Sequence, residues 1–322
     1  MSVLLPAGLP AGFTLEPATP AHVGEVFELA RDEQEAAFGF CPDTEEDVRA
    51  LLEPPAGAAS LQHLVRDTEG KVVQYWVALR DPGDPISHAY MSNHPELPDA
   101  LSDGLARAGY AMMLDWIRAH PPEGVEGDLA VHSGCPAGSV ANPRHLAEAG
   151  FTRQRTFWEM VGPVTDANRT APEVTGLVIE ATHDTAALHA VFNEAFVGHY
   201  GFTPTSLEDW RAVETTMPGF DPDLRYLASV DVEPAAAMLL LRRAEADGAM
   251  YVGDLATLER FRRRGVASAL LAHAFEVAAR EGLAQVALHV DSENAHAAPS
   301  VYRRAGLEVR TAWWAWARTL AR

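Results

Sequence analysis

The stretch RFRRRGVASALL, residues 260–271, concentrates four arginines in five positions of a chain whose formal net charge is −20. A glycine follows the arginines, and apolar residues then recur at helical spacing. Glycine permits a tight turn, and the first N–H groups of a helix have no partner within it. Because the helix dipole also favours negative charge there, the stretch predicts a turn and a helix start that bind an anion. The alternative is a solvated basic face without a ligand.

The composition favours a globular protein with more than one domain. The chain has 322 residues, of which 48% are hydrophobic and 22% charged, and a size of roughly 100–200 residues per domain predicts two domains. The chain has 45 acidic and 25 basic residues, and this negative net charge argues against nucleic acid and membranes as partners. The two cysteines and the scattered histidines show no metal-ligand spacing, so no metal is expected. Residues 1–13 lack the basic flank of a leader, and a cytoplasmic location is the default expectation.

The two halves of the chain resemble each other. Three pairs of segments recur in the same order at nearly one spacing, between 156 and 162 residues. The pairs are FGF at 38–40 with YGF at 200–202, GLA at 104–106 with GVA at 265–267, and EAGFTRQRTFWEM at 148–160 with RAGLEVRTAWWAW at 304–316. Each match is short, but together they predict two copies of one domain.

A proline- and glycine-rich segment divides the two copies. The expected boundaries are a first domain at 1–161, a linker at 162–176 and a second domain at 177–322. In each half a strand, predicted at 14–17 and at 177–181, leads into two helices, several strands, a long helix, a strand, a short helix and a last strand. The long helix of the second half is predicted at 265–281. This interleaving predicts an α/β fold, of the α+β mixed-sheet kind, in which each domain has a twisted central sheet flanked by helices.

Two motifs of the second half resemble the GNAT acetyltransferase superfamily. RRRGVA at 262–267 fits the pyrophosphate-binding pattern of that family. VDSENAHAAPSVYRRAGLEV at 290–309 resembles its later signature, with Asn294, Tyr302 and Gly306 at the matching places. The resemblance covers most of 177–318 and, more faintly, 14–160, and implies two tandem GNAT-like domains.

The resemblance implies acetyl-CoA as the acyl-donor cosubstrate. The implied cofactor-binding residues are Leu255, Ala256, Thr257, Arg262, Arg263, Arg264, Gly265, Val266, Ala267 and Asn294. Three residues depart from the family pattern: Ala267 stands where glycine is commoner, Leu307 replaces the usual phenylalanine, and Pro299 falls in the short helix. Because proline is tolerated in the first turn of a helix, Pro299 predicts a helix that starts after Asn294.

The first half lacks the groups that this chemistry needs. Leu101, Ser102 and Asp103 stand opposite the three arginines, and Leu146 stands opposite Tyr302. We therefore expect one competent site, in the second half, beside a degenerate first domain. The alternative is that the alignment of the halves slips by a few residues in this region.

Acyl transfer to an amine requires a base, an acid and an oxyanion donor. An alkyl ammonium of pKa ~10.4 is rarely neutral at pH 7, so deprotonation is the harder step. Asp254 is the predicted base, with Glu259, His289 and Asp291 as alternatives, and Tyr302 is the predicted acid. The predicted oxyanion donor is a backbone N–H near Ala256 or Thr257, and a buried core tyrosine is the alternative for Tyr302.

The acceptor is expected beside the first two helices of the second half. FVGHYGFTPTSLEDW at 196–210 gathers aromatic residues, of which His199, Tyr200 and Phe202 are predicted to bind substrate, although such a cluster is equally consistent with core packing. Tandem chains with a GHYGFTP-like segment are similar to relatives of mycothiol synthase, which acetylates the amine of a cysteinyl pseudo-disaccharide. The sequence thus predicts an N-acetyltransferase for a small-molecule amine. The alternatives are a non-catalytic acyl-CoA-binding sensor or scaffold and a peptide acetyltransferase, and the oligomeric state is open.

Overall fold

The computed structural model describes residues 9–242, 248–294 and 298–322. These residues form two compact units. Unit 1 comprises the described residues up to Arg155 together with Trp313–Arg322, and unit 2 comprises Thr156–Ala312. The expectation about a leader falls mostly on residues 1–8, which lie outside the described residues.

The order of helices and strands repeats along the chain. The first series is β1 (Thr14–Pro17), α1 (Val23–Phe38), α2 (Glu45–Leu52), β2 (Ala59–Arg66), β3 (Val72–Arg80), β4 (Ile86–Asn93), α3 (Asp99–Ala119), β5 (Leu129–Pro136), α4 (Ala141–Glu148) and β6 (Thr152–Pro163). After a short helix α5 (Asp166–Arg169), the second series is β7 (Leu177–Ala181), α6 (Thr185–Ala195), α7 (Leu207–Glu214), β8 (Phe220–Val230), β9 (Glu233–Leu241), β10 (Ala249–Thr257), α8 (Val266–Arg280), β11 (Gln285–Asp291), α9 (Ala298–Arg304) and β12 (Glu308–Leu320). The predicted internal repeat and the α/β fold class are thus confirmed.

Each unit contains a mixed sheet. The strand order is β1-β2-β3-β4-β5-β12 in unit 1 and β6-β11-β10-β9-β8-β7 in unit 2. The central pairs, β4 with β5 and β10 with β11, are parallel, and the pairs that flank them are antiparallel. Parallel neighbours need a crossover connection, and α3 and α8 supply it.

The units do not divide where the sequence repeat ends. Within unit 1, Trp313–Leu320 of β12 pairs with β5. Within unit 2, Phe157–Pro163 of β6 pairs with β11. The segment expected as a linker also belongs to unit 2, where Arg169 binds Glu276 of α8 at 3.3 Å. The repeat reveals the order of the strands but not which sheet the last strand of each series joins.

The helix predicted from residues 260–271 forms the core of unit 2. Leu270, Leu271, Ala274 and Phe275 of α8 are fully buried against the sheet, so its apolar stripe has a packing role. None of the described helices is long and apolar enough to cross a membrane.

Candidate active site

The parallel strands β10 and β11 of unit 2 separate along their length. They pair from Ala249 with Gln285 to Val252 with Leu288. Beyond this point β10 keeps its partner β9 as far as Thr257, and β11 keeps its partner β6 as far as Asp291. The two strands therefore each retain one neighbour and leave a wedge-shaped opening between them, which we call the unit 2 opening.

A β-bulge starts this opening. Val252 pairs with Leu240 and Asp254 pairs with Leu239, so Gly253 is an extra residue in β10. A Cβ at Gly253 would lie 2.9 Å from Leu241 Cδ1, and only glycine fits without a shift of that side chain. Bulges bend a strand and often lie beside active sites, and this one turns β10 away from β11.

The register of β10 decides which backbone groups line the opening. The N–H of Leu258 bonds to the carbonyl of Ala235 in β9 at 2.9 Å. Backbone groups alternate along a strand, so Ala256 also directs its N–H to β9, whereas Leu255 and Thr257 direct theirs to the opening. Of the two predicted oxyanion donors, the geometry therefore favours Thr257 over Ala256. The Thr257 hydroxyl is buried and has no hydrogen-bond partner among the described residues, a polar atom that a ligand could satisfy.

The four arginines of residues 260–264 have different roles. Arg260 forms ion pairs with Glu194 and Glu233, each at 2.8 Å. Arg262 donates from Nε to the carbonyl of Thr257 and from Nη2 to the carbonyl of Ala195, both at 3.1 Å. Arg262 thus joins the end of β10 to the end of α6.

Arg263 and Arg264 are exposed, as is the ion-paired Arg260. Arg263 has a φ of 61°, and Gly265, with a φ of 90°, precedes the first residue of α8. No side chain of the described residues caps the N-terminus of α8 at Gly265, so the N–H groups of Val266 and Ala267 are available to an anion. A pyrophosphate fits these backbone groups together with the two exposed guanidinium groups.

Burial raises the pKa values of both Asp254 and Tyr302, and the two groups interact electrostatically. Burial raises the pKa of Asp254 to about 6, and the nearby carboxylate of Glu214 adds to the rise. Tyr302 is 8% exposed, and burial raises its pKa to about 12, with Asp254 as a smaller cause. At neutral pH the tyrosine therefore carries its proton while the aspartate is mostly ionised, which is the pairing of acid and base that amine acylation needs.

The other predicted residues near the opening have varied surroundings. His289 Nδ1 lies 2.5 Å from Tyr251 Oη, and Asp291 Oδ1 accepts from the N–H of Glu293 at 2.9 Å. Glu259 is exposed. The N–H of Asn294 bonds to the carbonyl of Asp291 at 3.1 Å. Asn294 lies outside α9, whose described residues are Ala298–Arg304, in agreement with the prediction from Pro299, while residues 295–297 lie outside the described residues.

The three predicted acceptor-binding residues are half-buried. Ring centroids lie 5.1 Å apart for Phe196 and His199, and 5.6 Å apart for Phe196 and Phe202. The ring of Tyr200 lies 6.3 Å from that of Phe157 in β6. These aromatic contacts order the segment after α6, and they leave part of each side chain accessible.

Sequence reasoning missed Glu214, at the end of α7. Glu214 is 1% exposed and contacts Arg225 of β8 at 3.4 Å. In the sequence it is one of several acidic residues of an amphipathic helix, and only the pairing of β8, β9 and β10 brings it near Asp254.

The central parallel strands of unit 1 also separate, after His88 and His132. Here the opening is filled by protein side chains. Glu33 Oε1 accepts from the N–H of Asn93 at 3.1 Å and from Asn142 Nδ2 at 2.8 Å. Ser133 Oγ donates to the carbonyl of Ala89 at 2.5 Å.

No arginine loop precedes α3. Leu101, Ser102 and Asp103 lie within this helix, and Asp103 binds Arg144 at 2.8 Å. Leu146, opposite Tyr302 in the repeat, is fully buried.

The unit 2 opening between parallel strands and the uncapped N-terminus of α8, which suits an anion, both follow from β10. The model of the acetyltransferase (GNAT) family matches residues 179–307. A protein from Stackebrandtia nassauensis described as mycothiol acetyltransferase is 27% identical over 86% of this chain and 89% of its own length. A protein of the same description from Clavibacter michiganensis is 30% identical over 89% of this chain and 88% of its own length. The solved structure of a GCN5-related N-acetyltransferase from Sphaerobacter thermophilus is 26% identical, with a TM-score of 0.79 over 98% of each chain.

The chain belongs to the GNAT family of N-acetyltransferases. The predicted family, fold class and enzyme class are thereby confirmed.

Proposed function

We propose that the protein transfers an acetyl group from acetyl-CoA to the amine of a small-molecule acceptor, and that unit 2 carries the site. The observation that carries the proposal is the unit 2 opening, where β10 and β11 separate and the buried hydroxyl of Thr257 has no hydrogen-bond partner among the described residues. Two curated relatives that align over most of the chain are described as mycothiol acetyltransferase. A mycothiol-related amine is therefore the first acceptor to test.

The residues of the opening fit acetyl-CoA. The N–H groups of Val266 and Ala267, with Arg263 and Arg264, would hold its pyrophosphate, as the uncapped start of α8 supports. The strand residues Leu255 to Thr257, and Asn294, would lie along its pantetheine arm. When bound, acetyl-CoA supplies an activated acetyl thioester.

Proton transfer falls to two side chains. Asp254 accepts a proton from the acceptor ammonium, directly or through water, and leaves the nitrogen lone pair free to attack. Tyr302 Oη holds the proton that the departing thiolate requires. The N–H of Thr257 offers a fixed donor to the oxyanion, which needs no reorganisation during the reaction.

The pH dependence of acetylation tests the assignment of the base. Because Asp254 must be ionised, we expect kcat/KM to fall as pH falls through about 6. Tyr302, with a pKa of about 12, stays protonated throughout the usual assay range. Thiol release would be followed with a panel of amines between pH 5 and 9.

Asp254→Asn is expected to lower kcat/KM by about 100- to 10,000-fold while the Kd of acetyl-CoA stays unchanged. Asp223→Asn, which removes an exposed carboxylate on β8, is the matched control. If the Asp254→Asn enzyme kept the wild-type rate and pH profile, another group would be the base.

A further inference from the structure

Asp254 and Arg225 lie on the same face of the unit 2 sheet. Both pair with Leu239, Arg225 from β8 and Asp254 from β10. Directly paired residues project their side chains to one face. The residue after Arg225, Tyr226, meets His273 of α8 at a ring distance of 4.6 Å. Because side chains alternate along a strand, Arg225 and Asp254 point to the opposite face from α8.

Glu214 of α7 is held on this face by Arg225. Its Oε2 lies 3.4 Å from Arg225 Nη1, and its side chain is 2% exposed. Arg225 is fixed in turn by Thr185 Oγ1 at 3.1 Å and His183 Nδ1 at 3.5 Å. The other oxygen of Glu214, Oε1, is buried and accepts no hydrogen bond from the described residues. A buried carboxylate oxygen without a hydrogen-bond partner carries a desolvation cost, which a bound ligand or water would offset.

Two titratable groups that influence Asp254 come from helices. Glu214, from α7, adds to the effect of burial in raising the pKa of Asp254, while Tyr302, from α9, is neutral at ordinary pH. Burial also raises the pKa of Glu214, but Arg225 and Arg211 oppose this rise and favour its ionised form. A second carboxyl group, that of Glu214, therefore lies close to Asp254.

We propose that Glu214, fixed by Arg225, is a positioning residue that makes Asp254 a stronger proton acceptor for the ammonium group of the substrate. This inference rests on the proposed function, because Asp254 is the base there. Two neighbouring carboxylates bind a proton or a cation more readily than one, since each favours neutralisation of the other. The N–H bond of the ammonium breaks, the proton moves to Asp254, and the electron pair stays on nitrogen. The site thus selects acceptors that arrive as ammonium ions.

The titration of Asp254 in the full-length protein tests this role without any substrate. Aspartate and glutamate would be labelled with ¹³C at the carboxyl carbon, and Asp254→Asn would assign the Asp254 resonance. Removing the charge of Glu214 with Glu214→Gln is expected to lower the pKa of Asp254 by about 0.5 unit. The same variant moves the acid limb of kcat/KM to lower pH by the same amount, whereas a merely structural role would leave both unchanged.

Two variants serve as controls. Glu214→Asp retains the charge and is expected to keep the Asp254 midpoint near its wild-type value. Glu208→Gln removes an exposed carboxylate from the same helix and should have no effect. Should Glu214→Gln fail to fold, the double variant Glu214→Met with Arg225→Met removes both members of the buried ion pair, which proteins often tolerate, and is expected to shift Asp254 in the same direction.

The outcomes separate this inference from the proposed function. If the Asp254 resonance titrates at the same pH with and without Glu214, the role of Glu214 is overturned whatever the activity. If it shifts as expected but no amine is acetylated, the coupling of the two carboxylates stands, while the proposed acceptor class and the role of Glu214 in catalysis fail.

Discussion

The openings between the central parallel strands of the two units share a backbone pattern but differ in lining. In each, the strands pair at one end and separate at the other. In unit 2 the N–H groups of Leu255 and Thr257 face the opening, and the carbonyl of Thr257 accepts from Arg262. In unit 1 the matching N–H, that of Asn93, is bound by Glu33. The backbone offers the same polar groups to both openings, and the side chains decide whether they remain available to a ligand.

The two openings also differ in the charge of the side chain at the end of the central strand. A guanidinium joins the first helix to the end of the central strand in unit 2, where Arg262 binds the carbonyls of Thr257 and Ala195. A carboxylate makes the corresponding connection in unit 1, where Glu33 of α1 binds Asn93. Glu33 occupies the N–H group that a thioester would use, and its ionised form, which predominates above pH 7, repels pyrophosphate. Unit 1 therefore retains the fold and has the opposite electrostatic character.

Removing the hydroxyl of Tyr302 should produce the largest effect. Its counterpart in unit 1 is Leu146, so Tyr302→Phe makes the two units more alike. We expect kcat to fall by about 100- to 10,000-fold, because a positioned acid is lost, while the Kd of acetyl-CoA is unchanged. Steady-state thiol release measures the loss. Tyr226→Phe, at a buried tyrosine that packs on α8, is the control, and equal rates for both variants would remove Tyr302 from the mechanism.

The exposed arginines should have the next largest effect. Arg263→Ala with Arg264→Ala removes the positive charge that unit 1 lacks, and a charge-assisted hydrogen bond contributes about 1.5–3 kcal/mol. We expect the Kd of acetyl-CoA to rise about 10- to 100-fold, as measured by calorimetry. Arg260→Ala is the matched control, because Arg260 is occupied by Glu194 and Glu233. Substitution of Arg262 is a poorer test, since it would also release β10 from α6.

The carboxylate that fills the unit 1 opening should have a smaller effect, on stability. Burial raises the pKa of Glu33 to about 7. Because this pKa is raised in the folded state, the stability associated with the proton is present at pH 4.5 and is lost as pH rises through about 7. Chemical unfolding is expected to show a loss of about 1–3 kcal/mol over this range.

Glu33→Gln keeps an acceptor for Asn93 and should remove this part of the pH dependence. Glu35→Gln, exposed on the same helix, should keep it. A pH dependence that is identical in wild type and Glu33→Gln would mean that Glu33 does not titrate in this range.

The order of the repeated strands and helices could be predicted from the sequence. The strands at Thr14–Pro17 and Leu177–Ala181 have the predicted bounds. Each end of the long helix at Val266–Arg280 lies within one residue of its predicted position. Such elements depend on local periodicity and on turn residues such as Gly265. The sheet partners of β6 and β12 depend on contacts far along the chain, and for this reason the unit boundaries were not predictable from the repeat.

The candidate site was predictable to the extent that it follows a motif. The arginines could be located but their roles could not be distinguished, because only the structure reveals that Arg262 binds backbone carbonyls. Glu214 and Glu33 carry no motif, since their importance comes from burial and from residues distant in sequence. Asp254 could be predicted because strand alternation, which is a local property, places it on the same face as Ala256.

The number of acetyl-CoA molecules bound per chain tests the central comparison most directly. Calorimetric titration of the full-length protein gives this stoichiometry independently of any acceptor. The open site in unit 2 and the filled opening in unit 1 predict one equivalent per chain, with affinity about 10- to 100-fold lower in the Arg263→Ala, Arg264→Ala variant. Two equivalents, or one equivalent that is insensitive to those arginines, would contradict the account.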